Sequence, residues 1–166
     1  MEYQCHVTRV LHEEHLQLLA LLNRFEDFLV RHRKAKRLDT DQIETASLLR
    51  DLVTTLDAEV DRHFSFEETE LFPSLEEAGD AMIATVLRAD HEILRPLARE
   101  IAGAARTALA ETLEGTDLDS FRQQGMEYVE RQMTHIQREE MALLPLLEDL
   151  IDEETDQRLR SDYAAA

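Results

Sequence analysis

The stretch His63-Phe-Ser-Phe-Glu67-Glu-Thr-Glu-Leu-Phe-Pro73-Ser-Leu-Glu-Glu77 sets a histidine and a carboxylate four residues apart. On a helix that spacing puts both side chains on one face. The pattern returns in register as His135-Ile-Gln-Arg-Glu139-Glu-Met-Ala-Leu-Leu-Pro145-Leu-Leu-Glu-Asp149. Two matched helices, each with a two-residue ligand set, therefore frame the chain. Pro73 and Pro145 follow one pair each and are expected to end or kink their helices.

Apolar residues recur at steps of three and four on either side of these pairs. A first helix from about Val7 to Lys36 has the stripe Val7, Leu11, Leu18, Leu22, Phe25 and Leu29, with His15 filling a core step. A second, from about Asp41 to Phe72, carries Leu49, Leu52, Leu56 and Val60, then His63, Glu67 and Leu71. A third, from about Ala81 to Glu111, has His91 where an aliphatic residue would be expected, and Pro96 should bend it nearby. A fourth, from about Leu118 to Leu144, has Phe121, Gly125, Tyr128, Gln132, His135, Glu139 and Leu143. Long helices joined by short loops predict an all-α, antiparallel up-down-up-down four-helix bundle over residues 1–152. Residues 153–166 are expected to form a tail, a short helix that frays in its last three alanines.

Composition agrees with helix. The 166 residues include only four glycines and three prolines, which leaves little turn chemistry for sheets. A net charge of -18 repels phosphate backbones and argues against nucleic-acid binding. The short basic run Arg31–Arg37 reads as a solvated helix end. No apolar stretch approaches the ~20 residues that span a bilayer. The N-terminal Met-Glu-Tyr-Gln-Cys-His has no signal-peptide character. A single cysteine, Cys5, allows no internal disulfide. A cytoplasmic location is the expectation.

Four histidines on core-facing steps, one per helix, stand with two carboxylates. Burying these groups costs on the order of several kcal/mol per ion unless something compensates. Arginines that could compensate are not evident on the stripes, whereas a bound metal would satisfy all six groups. The donor set, nitrogen-rich and free of thiolate, suits iron, with manganese and zinc as alternatives. Its repeat suggests two ions: one on His15 and His63, the other on His91 and His135, with Glu67 and Glu139 bridging. Open positions would then take a small ligand such as water, dioxygen, peroxide or nitric oxide. Ferritin-like di-iron sites differ, using Glu-x-x-His pairs and further glutamates.

The ordered set His15, His63/Glu67, His91, His135/Glu139, with its Leu-Phe-Pro and Leu-Leu-Pro tails, resembles the hemerythrin-like, or HHE cation-binding, family. The match extends from about Val7 to Leu150. It implies a left-handed bundle holding two iron ions, an oxo- or hydroxo-bridged di-iron centre that reacts with dioxygen. Oxygen-carrying members have another histidine four residues after the one on the third helix; here that position is Arg95. They also bridge with an aspartate, where this chain has Glu139. These departures point away from reversible oxygen carriage. They favour reaction with peroxide or nitric oxide under stress, or iron and oxygen sensing through a protein partner without catalysis.

Further candidates surround the six. His12, one turn before His15, is a candidate seventh ligand or a hydrogen-bond partner behind the ligands, a position that more often lies at the rim. Tyr128, two turns before His135, is a candidate hydrogen-bond donor to a bound ligand. Glu68 and Glu140 read as exposed neighbours of the ligand glutamates, and His6 and His32 as peripheral.

Overall fold

The computed structural model describes residues 3–165. Met1, Glu2 and Ala166, which belong to the stretches read above as a leaderless start and a frayed end, lie outside the described residues. Helix α1 is His6–Arg31. Helix α2 covers residues 43–78, helix α3 is Ala81–Ala110, helix α4 covers 115–150, and helix α5 is Glu153–Ala165. Neighbouring helices pack in a ring: α1 on α2 and α4, and α3 on α2 and α4. With short connections between them, this is the expected all-α four-helix bundle.

Several boundaries differ from the expectation. Helix α1 stops at Arg31, not Lys36, and the carbonyls of His32 and Ala35 beyond it accept hydrogen bonds from Arg122. Pro73 does not end α2, which continues to Ala78 and closes on Gly79 at φ +97°, a left-handed conformation that suits glycine. Likewise α4 continues through Pro145 to Leu150, whereas α3 runs through Pro96 as expected. The short helix of the tail runs to Ala165.

For Pro73 and Pro145 the reason lies in π-helical segments, which occur at Glu59–His63 and Glu67–Leu71 in α2 and at Glu139–Leu143 in α4. A π turn carries an extra residue and bonds i to i+5. Each proline falls at the start of the α-helical segment that follows a π turn. There a proline is tolerated, because its missing N–H and fixed φ match a helix start.

The core has two apolar parts. One, around Leu22, Phe25, Leu49, Leu52, Ile101 and Phe121, fills the end of the bundle where the loops before α2 and α4 meet. Those loops pair through Leu38 N–H and the Leu113 carbonyl at 3.1 Å. The other part, around Leu11, Phe66, Phe72, Leu87 and Leu144, fills the opposite end and is covered by Tyr3, Leu159 and Tyr163. His15, His63, Glu67, His91, His135 and Glu139 lie between the two parts.

Cys5 is partly buried, with its thiol near the Ile151 carbonyl. Burial and the Glu148 carboxylate push its pKa up to about 11. It stays a neutral thiol at pH 8, and alkylation there should be tens of times slower than for a free cysteine, on the order set by the lost thiolate. Mass spectrometry of iodoacetamide-treated protein checks this.

A second prediction concerns Gly125, where α4 meets α1. An added Cβ would lie 2.8 Å from Leu29 Cδ1 and 2.8 Å from Phe25 Cζ. Both neighbours belong to the core and have little room to yield. Overpacking of ~1–3 kcal/mol should exceed the ~1 kcal/mol that alanine gains in helix propensity. Gly125→Ala is therefore expected to lower the melting temperature by a few degrees.

Candidate metal centre

The six core-step residues converge. His15, His63, Glu67, His91, His135 and Glu139 are all no more than 1 % exposed. Each carboxylate reaches from one histidine pair to the other. Glu67 has Oε1 3.5 Å from His63 Nε2 and Oε2 3.3 Å from His91 Nε2. Glu139 has Oε2 3.1 Å from His15 Nε2 and Oε1 2.9 Å from His135 Nε2. His91 Nε2 and His135 Nε2 lie 3.2 Å apart. Two donor groups result: His15, His63 and Glu139, and Glu67, His91, His135 and Glu139.

The opposite ring nitrogens explain why these groups need a cation. Each histidine Nδ1 faces a carboxylate from a different helix: His15 with Glu140 at 2.7 Å, His63 with Glu14 at 3.0 Å, His91 with Glu68 at 2.8 Å and His135 with Asp90 at 3.4 Å. A carboxylate there holds the proton on Nδ1 and leaves Nε2 as a lone pair. Four lone pairs and two carboxylates then point at one another. Nε2 of His15 and His63 and both oxygens of Glu67 and of Glu139 have no hydrogen-bond partner. A cation suits such a set of acceptors; without one, protons must fill the gap. Burial opposes a charged His15, but Glu139 and Glu140 outweigh it and push its pKa up to about 9. Burial likewise opposes a charged His135, yet Glu139 and Asp90 raise it to about 10.

The outer carboxylates are placed by a reciprocal pattern. Glu14 precedes His15 in sequence but serves His63, and Asp90 precedes His91 but serves His135. Glu68 follows Glu67 and serves His91; Glu140 follows Glu139 and serves His15. Glu68 and Glu140 are thus not exposed bystanders as expected; both are partly buried. They sit in π turns, where the wider spacing lets two consecutive residues face inward.

A third set of side chains braces these carboxylates. Arg62 and Tyr163 hold Glu14, Arg95 holds Glu68, Arg138 holds Asp90, and Tyr3 and His12 hold Glu140. His12 belongs to neither donor group; its Nδ1 is 2.9 Å from Glu140, which makes it a partner of an outer carboxylate. Arg95 bonds Glu68 at 2.7 Å and the Val60 carbonyl at 3.2 Å. Its guanidinium lies 5.8 Å from the centre of the Phe64 ring, which stacks on His91 at 4.0 Å. Tyr128 is wholly buried, and its hydroxyl has no partner. His32 Nδ1 sits on the Phe28 carbonyl, away from the centre.

Sequence reasoning passed over Glu14, Asp90, Glu59 and Gln132 as site residues. Glu59 and Gln132 are buried and hydrogen-bonded to each other at 2.8 Å, close to the centre. The available signal was a carboxylate immediately before His15 and His91 in both halves of the repeat.

Such an arrangement, a helical bundle whose core gathers histidines and carboxylates from all four helices, defines a cation-binding helical protein. Residues 6–147 match the family model described as the hemerythrin HHE cation binding domain. The chain belongs to that family. No curated protein matches it significantly.

The outer carboxylates give a direct test. Glu140→Gln or Glu68→Gln should weaken cation binding about 10- to 100-fold, the usual effect of losing a carboxylate behind a ligand histidine. His12→Ala, one layer further out, should weaken it less, and His15→Ala more than any of them. Calorimetric titration with zinc measures the order.

Proposed function

We propose that the protein is a non-heme di-iron protein that reacts with a small oxidant, namely dioxygen, peroxide or nitric oxide. The observation that carries this reading is the pair of donor groups sharing Glu139. On this reading His15 and His63 hold one ion and His91 and His135 the other, with Glu67 and Glu139 spanning both. The nitrogen-rich, thiolate-free set favours iron over a hard oxygen-seeking cation. Iron would supply electrons to the oxidant. The chain's part is to fix and shield the donors. The four outer carboxylates hold the Nδ1 protons and aim each Nε2 inward. Phe64 and Phe72 flank His91 at 4.0 and 5.6 Å and keep water from that side. Arg95 occupies the position where a further imidazole would add to the donor set, which argues for reactivity over reversible carriage.

Anaerobic reconstitution with ferrous iron, then exposure to dioxygen, peroxide and nitric oxide in turn, tests the reading. The expected result is two irons per chain and a near-ultraviolet band after oxidation. Much less than two irons, with no such band, would contradict it.

A sensing role through a protein partner, without catalysis, is favoured by a separate observation. Both terminal segments are tied to the outer carboxylates: Tyr3 to Glu140 and Tyr163 to Glu14. Because metal binding and folding are coupled, removing iron should loosen these segments. Limited proteolysis is then expected to cut near both ends of the chelated protein and spare the loaded one; identical patterns would rule the role out. No helix among the described residues is long and apolar enough to cross a membrane.

A further inference from the structure

The proposed ions account for the unpartnered atoms of His15, His63, Glu67 and Glu139, but not for two others. The Tyr128 hydroxyl and Gln132 Oε1 have no hydrogen-bond partner, both residues are 0 % exposed, and neither belongs to a donor group. Among the described residues the remaining buried unpartnered side-chain atoms are Nε of Arg62, whose Nη2 bonds Glu14, and Nε of Arg122, whose Nη1 and Nη2 are both paired. An unpaired buried polar atom costs ~1–3 kcal/mol, so two together call for a ligand.

Their placement is specific. Gln132 and Tyr128 lie one and two turns before His135 on the same face of α4, and Glu59 lies one turn before His63 on α2. Gln132 Nε2 donates to Glu59 Oε1 at 2.8 Å across the bundle, which leaves Gln132 Oε1 free to accept. Glu59 feels the charges of His63, Glu139, His15 and His135, and Tyr128 feels that of Glu59. The three groups thus form a polar layer next to the imidazoles, on the side of the core that contains Tyr128. Burial pushes the Tyr128 pKa up, so its hydroxyl keeps its proton and can donate.

We propose that Tyr128 and Gln132, with Glu59 as the positioning residue for Gln132, form the hydrogen-bonding pocket for the small molecule that reacts at the centre, and that the pocket selects hydrogen peroxide. The free donor is the Tyr128 hydroxyl and the free acceptor is Gln132 Oε1. Hydrogen peroxide can satisfy both, since each of its oxygens accepts and donates. Dioxygen and nitric oxide have no proton to offer Gln132. The proposal rests on the di-iron reading and names which of its oxidants the chain is built to bind.

The test compares Tyr128→Phe and Gln132→Leu with the wild type, all iron-loaded and matched for iron content. Stopped-flow reaction with hydrogen peroxide should show a half-saturating concentration raised about 10-fold in each variant, the scale of one lost hydrogen bond. Equilibrium nitric oxide binding to the ferrous form should move less than twofold in Gln132→Leu, because nitric oxide has no proton for that oxygen, whereas Tyr128→Phe weakens both ligands. Glu59→Gln keeps an acceptor for Gln132 Nε2 and should stay within about threefold of wild type, whereas Glu59→Leu should match Gln132→Leu. The melting temperature of metal-free Tyr128→Phe should be unchanged or higher. A lower melting temperature with unchanged peroxide saturation would assign the two atoms to a structural water and overturn the proposal. Equal losses for peroxide and nitric oxide in Gln132→Leu would overturn the selectivity. A wild type that takes up no iron would instead bring down the di-iron reading, and this pocket with it. Should Gln132→Leu fail to fold, the near-isosteric Gln132→Met, which also removes the amide oxygen, takes its place.

Discussion

Everything in this bundle answers to one electrostatic constraint: four imidazole lone pairs and two carboxylates meet in a space closed to water. The ring nitrogens that could have been donors are turned outward, each held by a carboxylate. What faces inward can only accept. Apolar packing above and below prevents solvent from relieving that concentration of acceptors, so the relief must come from protons or a cation. Protons serve poorly, since each imidazolium adds a charge beside its neighbours; a divalent ion draws several lone pairs at once.

The outward layers follow from that centre. Outer carboxylates set the histidine tautomers, and arginines, tyrosines and His12 hold the carboxylates. Each residue that aims a histidine is next in sequence to a residue of the centre on another helix, so no helix can shift without disturbing two parts of the site. The π turns make this wiring possible. They let Glu67 face the centre while Glu68 faces His91, and Glu139 face the centre while Glu140 faces His15. The turn at Glu59–His63 is followed by an arginine contact as well, for the Val60 carbonyl accepts from Arg95.

The bundle and the six converging residues were legible because both rest on simple periodicity. A histidine on an apolar stripe at steps of three and four must face the core, and a repeated His-x-x-x-Glu must bring its two halves together. What was not legible depended on departures from that period. Counting 100° per residue turns Glu68 and Glu140 to solvent; the extra residue of a π turn returns them. The same departure carries α2 and α4 past Pro73 and Pro145, each of which stands at the start of a new α-helical segment. His12 shares a face with His15, and periodicity alone could not tell a ligand from a partner of Glu140. Glu59 was passed over although it shares the face of His63, because its partner Gln132 lies on another helix.

The central claim is that the inward acceptors are there to hold two ions in matched halves. X-ray absorption of the iron-loaded protein at the iron edge tests it most directly. The account predicts two imidazoles per iron, carboxylate oxygens, no sulfur, and scattering from a second iron. A single isolated iron, or a coordination sphere without imidazole, would contradict it.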